Sequence, residues 1–218
     1  MTFHKMSIAV ASLTLLLALP ALNGCSHLPY QSAETISGHS MSVKKSGLKV
    51  AARVDKTMAA LNTLLNKPSG SLANDYKSFS DKFSSLKSGY ADLKGAIGNV
   101  SGTQGKYMAT WDKQIQSISN SDIQAVAKSN YSNAQKDFSR FTKRAKTTES
   151  SGGALMAYLG NMKTYLATDL STSGIQGASG LLGKAKSRAA TFKHDIAKLD
   201  SDASRLSNDL KPAAGTSK

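Results

Sequence analysis

Cys25 is the only cysteine in this 218-residue chain, and it stands directly after an apolar run. A lone thiol cannot make an internal disulfide, so its chemistry is covalent modification or none. Metal binding needs ligands converging at usable spacing, and His27, His39 and His194 are isolated. Gly180-Leu-Leu-Gly183-Lys184-Ala185 has part of the spacing of a phosphate loop. Ala178 stands where the first Gly belongs, however, and Ala185 where a magnesium-binding hydroxyl should follow the lysine. Ser42-Val-Lys-Lys45 and Ser84-Ser-Leu-Lys87 match the Ser-x-x-Lys of penicillin-binding enzymes but lack the companion motifs. There is no Gly-x-Ser-x-Gly elbow, and acids are too sparse to name a pair for acid–base work. The expectation is a protein that is not an enzyme and needs no metal or cofactor.

The residues before Cys25 define its setting. Met1-Thr-Phe-His-Lys5 carries one positive charge, and Ile8–Leu22 is rich in Leu and Ala, interrupted by Ser12, Thr14 and Pro20. As a helix that run rises about 22 Å, too little for a hydrocarbon core of about 30 Å, so it reads as the apolar part of a signal peptide. Gly24 supplies the small residue expected at a cut, and Asn23 fits less well. With Leu22-Asn23-Gly24-Cys25 the segment resembles a bacterial lipoprotein signal over residues 1–24, cleaved before Cys25. That resemblance implies a diacylglyceryl group and an amide-linked chain on Cys25, and lipid burial of about 0.8 kcal/mol per CH₂ makes several chains a lasting anchor. Ser26, where Asp would signal inner-membrane retention, implies the periplasmic face of an outer membrane. The alternative is an ordinary secretory signal that leaves Cys25 a free thiol.

Removing residues 1–24 takes away Lys5 and no acid, lowering the formal charge from +14 to +13. The length suits one domain. Four prolines permit long helices, while abundant Ser, Thr and Gly lower helix propensity, so the helices must lean on packing. Arg140, Lys143, Arg144 and Lys146 form the densest basic cluster and are the candidate contacts for an anionic partner. The bland reading of such a cluster is a solvated face. The overall charge favours anionic lipid, lipopolysaccharide, peptidoglycan or an envelope protein, with nucleic acid ranked below them.

Apolar residues recur at threes and fours through most of the mature chain. Leu72, Tyr76, Phe79, Phe83, Leu86, Tyr90, Leu93, Ile97 and Val100 make one run, continued in phase by Tyr107, Trp111 and Ile118. Ala178, Leu182, Ala185, Ala189, Phe192, Ile196, Leu199, Ala203, Leu206 and Leu210 make another. Ala127, Tyr131, Ala134, Phe138, Phe141 and Ala145 share a phase with Leu155, Leu159, Met162 and Leu166, and Ala51, Val54, Met58, Leu61 and Leu65 form a shorter stripe. A seven-residue repeat keeps one seam toward a partner helix, and strand alternation fits none of these segments. The aromatics on the seam, Tyr76, Phe79, Phe83 and Tyr90, therefore read as core. Trp111 does too, with membrane or partner contact at the hairpin end as the alternative.

Asn66-Lys-Pro68-Ser-Gly70 breaks the first helix, and Ser121-Asp-Ile-Gln124 and Ser173-Gly-Ile-Gln176 read as capping boxes. Four helices follow, at about 41–66, 71–119, 122–170 and 174–210. The fold class is all-α: a long antiparallel, coiled-coil-like hairpin with the first and last helices packed along it in a bundle over 41–210. Residues 25–40 read as a tether and 211–218 as a loose tail. Gly95, Gly98, Gly102 and Gly105, together with Ser150-Ser-Gly-Gly153, predict a middle that either bends or packs closely.

The layout resembles a family of uncharacterised bacterial proteins, a domain of unknown function that is mostly helical and often lipid-anchored. The likeness starts at Tyr30, Glu34, Gly38-His39 and Arg53-Val54. It strengthens at Trp111 with Ile115 and Ile118, at Tyr131 with Phe138, and at Tyr165-Leu166-Ala-Thr-Asp169-Leu170 leading to Ile175. The family carries Lys, His and Asn where this chain has Ala167, Thr168 and Asp169, and it is more acidic. The resemblance implies the helical fold and no mechanism. The expected role is an outer-membrane lipoprotein, a helical rod anchored through Cys25 with a basic face for an anionic or protein partner, and an oligomer is compatible with it. The alternative is a periplasmic carrier that holds lipid or another amphiphile in the helical seam.

Overall fold

The computed structural model describes residues 29–66 and 70–210. Five helices follow in order: α1 (Pro29–Asn66), α2 (Leu72–Gln116), α3 (Ser121–Thr168), α4 (Thr172–Ser179) and α5 (Leu182–Leu210). At 1.5 Å per residue, α2 and α3 are each about 70 Å long. Their antiparallel pairing is fixed by three contacts spread along the hairpin. Tyr76 Oη donates to the Lys163 carbonyl, Tyr90 Oη donates to the Glu149 carbonyl, and Trp111 stands edge-on to Tyr131. The remaining long helices run antiparallel to their neighbours too. Thr57 of α1 bonds the Lys82 carbonyl of α2, Lys193 of α5 pairs with Asp55 of α1 at 2.6 Å, and Arg144 of α3 pairs with Asp202 of α5 at 3.3 Å. The result is an up-and-down four-helix bundle in the cyclic order α1, α2, α3, α5, as short connections require. The all-α class and the flanked hairpin are those the spacing predicts.

Every residue of the second apolar run, Ala178 through Leu210, is buried. Phe79, Phe138, Phe141 and Phe192 are fully enclosed. Tyr76 and Tyr90 share this seam but stay half-buried, because each hydroxyl must reach a carbonyl of α3.

Several expectations are corrected. The stretch read as a tether is helical from Pro29 onward, since proline at a first helical position lacks only an N–H with no intrahelical partner. Its period is hidden because Ser37 and Ser40 occupy core-facing positions. Ser37 meets Ser207 hydroxyl to hydroxyl at 2.8 Å, so two polar groups are buried as a pair. The α1 stripe also runs through Val50, Val54, Thr57, Leu61 and Leu64, which leaves Ala51 and Met58 at the flank.

The predicted last helix is two, broken at Gly180-Leu181, although its apolar phase continues across the break. Both capping boxes are displaced. Asn120 caps α3, its Oδ1 accepting from Asp122 N and Ile123 N, and Ser171 caps α4, accepting from Gly174 N. Gln124 instead donates to the Ile115 and Ile118 carbonyls at the end of α2, which ties the hairpin turn together. Asn66 ends α1 as expected, and Gly70 takes the left-handed backbone (φ 95°) that leads into α2.

The glycines behave in two different ways. Gly95, Gly98, Gly102 and Gly105 lie on the exposed side of an uninterrupted α2, with open space where a side chain would project. Gly152 is a close approach, since a Cβ there would fall 2.5 Å from Tyr90 and 2.8 Å from Phe192. The two sets do not pair across the hairpin: Gly152 lies opposite Tyr90.

Candidate functional site

The basic cluster on α3 divides among different sides of the helix. Arg140 pairs with Asp137 at 3.5 Å and Arg144 with Asp202 at 3.3 Å. At about 100° per residue, these two arginines share the edge toward α5, Lys143 falls on the outer side and Lys146 on the opposite edge. Lys143 and Lys146 are exposed, and among the described residues no ion pair engages them. The cluster read from sequence therefore offers two free cations, one arginine paired within α3 itself and one that ties α3 to α5.

Arg140 also borders a feature that the sequence did not reveal. Where α5 stops at Leu210, an open groove of about 740 Å³ lies between α2, α3 and α5. Tyr107 and Trp111 supply its α2 wall, Asn130, Asn133 and Lys136 its α3 side, and Arg205 and Asp209 its α5 side. Asp137 Oδ1 forms ion pairs with both Arg140 (3.5 Å) and Arg205 (3.4 Å), and Arg205 lies 3.8 Å from Asp209. Burial pushes the Asp209 carboxyl above its ordinary value, and the neighbouring Asp137 adds to this while Arg205 opposes it. Tyr107, enclosed by Trp111 and Phe138, has its phenol pushed up to about 12 by burial, so it stays neutral in any physiological range. Such a lining can hydrogen-bond a polar group and pack against it. It contains no nucleophile beside a base, and its charges are largely consumed by one another. Asp137, Arg205 and Asp209 were not anticipated, because only the antiparallel register of α3 and α5 brings them together.

The hairpin continues past this groove. Trp111 is half-buried against Tyr107 and Tyr131, with ring centroids at 5.4 and 5.6 Å, as a core residue at the margin. Farther out, Ile115 is buried and Ile118 half-buried, whereas Ile123 (59% exposed) and Val126 (62% exposed) stand in the open.

The remaining sequence motifs resolve into helix. Ser42 Oγ and Ser84 Oγ each donate to a carbonyl four residues back, Gly38 and Ser80, while the lysines of both motifs point to solvent. Gly180-Leu181 is the break before α5 and Gly183-Lys184 lie in its first turn, and among the described residues no strand precedes them as a phosphate loop requires. Among the described residues no three of His, Cys, Asp and Glu converge to hold a metal, and no helix is long and apolar enough to cross a membrane. Residues 1–24, Cys25 and residues 211–218 lie outside the described residues.

No curated protein and no solved structure matches the chain. A family model described as a protein of unknown function (DUF2959) matches residues 36–211, from the first buried turn of α1 to the end of α5, and the chain belongs to that family.

Proposed function

We propose that this protein is an envelope lipoprotein with a structural or interaction role, a helical rod anchored through Cys25 at the periplasmic face of an outer membrane. One observation supports this reading above the others. Pro29, four residues after Cys25, begins α1 at the same end of the bundle as the α2–α3 turn and Leu210. A lipid on Cys25 would thus attach to one end of a rod about 70 Å long, leaving the opposite end, marked by Asn66, Leu72, Thr168 and Thr172, free to meet a partner away from the membrane. Lys143, Lys146 and the other exposed lysines suit an anionic partner such as lipid headgroups, lipopolysaccharide or peptidoglycan, or an acidic protein.

The carrier reading gains no comparable support. The seam is filled by Phe79, Phe138, Phe141, Phe192 and their aliphatic neighbours, and the groove between α2, α3 and α5 is open and lined largely by polar side chains. Fractionation tests the anchor: the native chain should stay with membranes after a carbonate wash and Cys25→Ser should be released. Retention of Cys25→Ser in the membrane fraction would end the proposal.

A further inference from the structure

We infer that the tip of the α2–α3 hairpin is a membrane contact, with Ile123 and Val126 entering the lipid surface beside the anchor. This rests on the lipoprotein reading and adds a second point of attachment to it.

The exposure of these two residues has a specific cause. Along α3 the row Arg144, Asp137, Asn133, Asn130 faces α5 or the groove at its end, as the Arg144–Asp202 and Asp137–Arg205 pairs record. Val126 and Ile123 extend that row by steps of three and four, beyond the point where α5 stops at Leu210. They continue a packing face past the last described turn of α5. The eight residues after Leu210, Lys-Pro-Ala-Ala-Gly-Thr-Ser-Lys, carry no large apolar side chain to replace it, and between Cys25 and Pro29 only Leu28 is apolar.

Reach favours lipid as the occupant. In the register set by Thr57 against Lys82, Pro29 lies level with about Trp111, so roughly ten residues of α3, about 15 Å, project past the start of α1. Four residues of chain span at most about 14 Å. An anchor at Cys25 therefore holds the start of α1 no farther from the bilayer than the tip projects. Tethering also makes even a weak contact effectively intramolecular. Lys113 and Lys128 at the tip are matched by Asp112 and Asp122, so this contact is apolar and separate from any diffuse attraction of the basic rod.

The thiol of a lipidated Cys25 is blocked, so Ile123→Cys provides one free thiol for an environment-sensitive fluorophore in the full-length lipoprotein. Ser71→Cys, at the opposite end, is the control. Both proteins are reconstituted into vesicles of phosphatidylethanolamine and phosphatidylglycerol, with and without brominated acyl chains. The tip label should be blue-shifted and quenched several-fold more by brominated lipid than the control, at low and high salt alike. A tip label that reports water, or one that is blue-shifted without bromolipid quenching and so sits against protein or a second copy, overturns the inference while leaving the anchor intact. Release of both labelled proteins by carbonate would instead strike at the lipoprotein reading itself.

Discussion

At the scale of single residues, the glycines separate two meanings that look alike in a sequence. Gly152 admits no side chain because Tyr90 and Phe192 occupy the space, and both rings are held. Tyr90 is bonded to the Glu149 carbonyl, and Phe192 is fully buried and edge-on to Tyr90. Gly152→Ala should therefore cost about 1–3 kcal/mol, the usual penalty for overpacking. Gly95, with nothing near it, should behave in the opposite sense, and Gly95→Ala should add up to about 1 kcal/mol by helix propensity alone. Urea denaturation of the two variants decides this, and equal signs would mean the approach at Gly152 is not tight. Asp200 offers a pH test. Its carboxyl is raised above the ordinary value of 3.8, mainly because burial removes water from it, with Lys44 opposing. A raised folded pKa means that the protonated form supports the fold, a contribution complete below the unfolded value and lost as pH rises through the folded one. Asp200→Asn should thus melt higher than the native protein at neutral pH, with the difference closing as pH falls below about 4. A gap that persisted in acid would contradict that account.

At the scale of elements, most of the stabilisation lies in helix faces rather than helix ends. Fully burying one large apolar side chain contributes about 1.5–3 kcal/mol, and each long helix presents many of them. The caps matter where packing runs out. At the hairpin turn, Asn120 supplies an acceptor to two orphan amides of α3 while Gln124 bonds the Ile115 carbonyl at the end of α2 and the Ile118 carbonyl of the turn. Asn120→Ala should cost about 1 kcal/mol. The loss should show as faster amide hydrogen exchange at Asp122 and Ile123, with the buried middle of α3 unaffected. Uniform loss of protection along α3 would mean that the turn unfolds with the bundle rather than ahead of it. The shift of both caps from the predicted serines follows from competition among neighbours. Asn120 precedes Ser121, and Ser171 precedes Ser173, so several side chains are eligible within a few residues and backbone geometry selects among them.

For the whole molecule, the positive charge is distributed over a rod and partly neutralised by pairs that hold helices together, such as Lys193–Asp55 and Arg144–Asp202. What remains free is exposed lysine, including Lys143 and Lys146. Binding through such groups is screened over about 10 Å at 0.1 M salt and about 3 Å at 1 M. The delipidated protein should therefore bind phosphatidylglycerol vesicles far more weakly at 1 M than at 0.1 M salt, as read by co-sedimentation. Binding that ignored salt would place the affinity in an apolar contact instead.

The periodicity of Leu72–Val100 and Ala178–Leu210 determined helices, their buried faces and the antiparallel order, because a 3.6-residue repeat leaves each apolar stripe one side to hide and short turns leave neighbours one direction to run. It did not reveal residues 29–40 as helix, because Ser37 and Ser40 occupy the core face there, and a buried serine is legible only when its partner Ser207 is seen beside it. The candidate site divided in the same way. Cys25 and the basic residues were plain from type and spacing. The groove of Asp137, Arg205 and Asp209, the neutralised arginines and the uncovered Ile123 and Val126 depended on where α5 ends against α3. A helix's pattern states which side wants cover, whereas the relative lengths and register of packed helices decide which residues receive it.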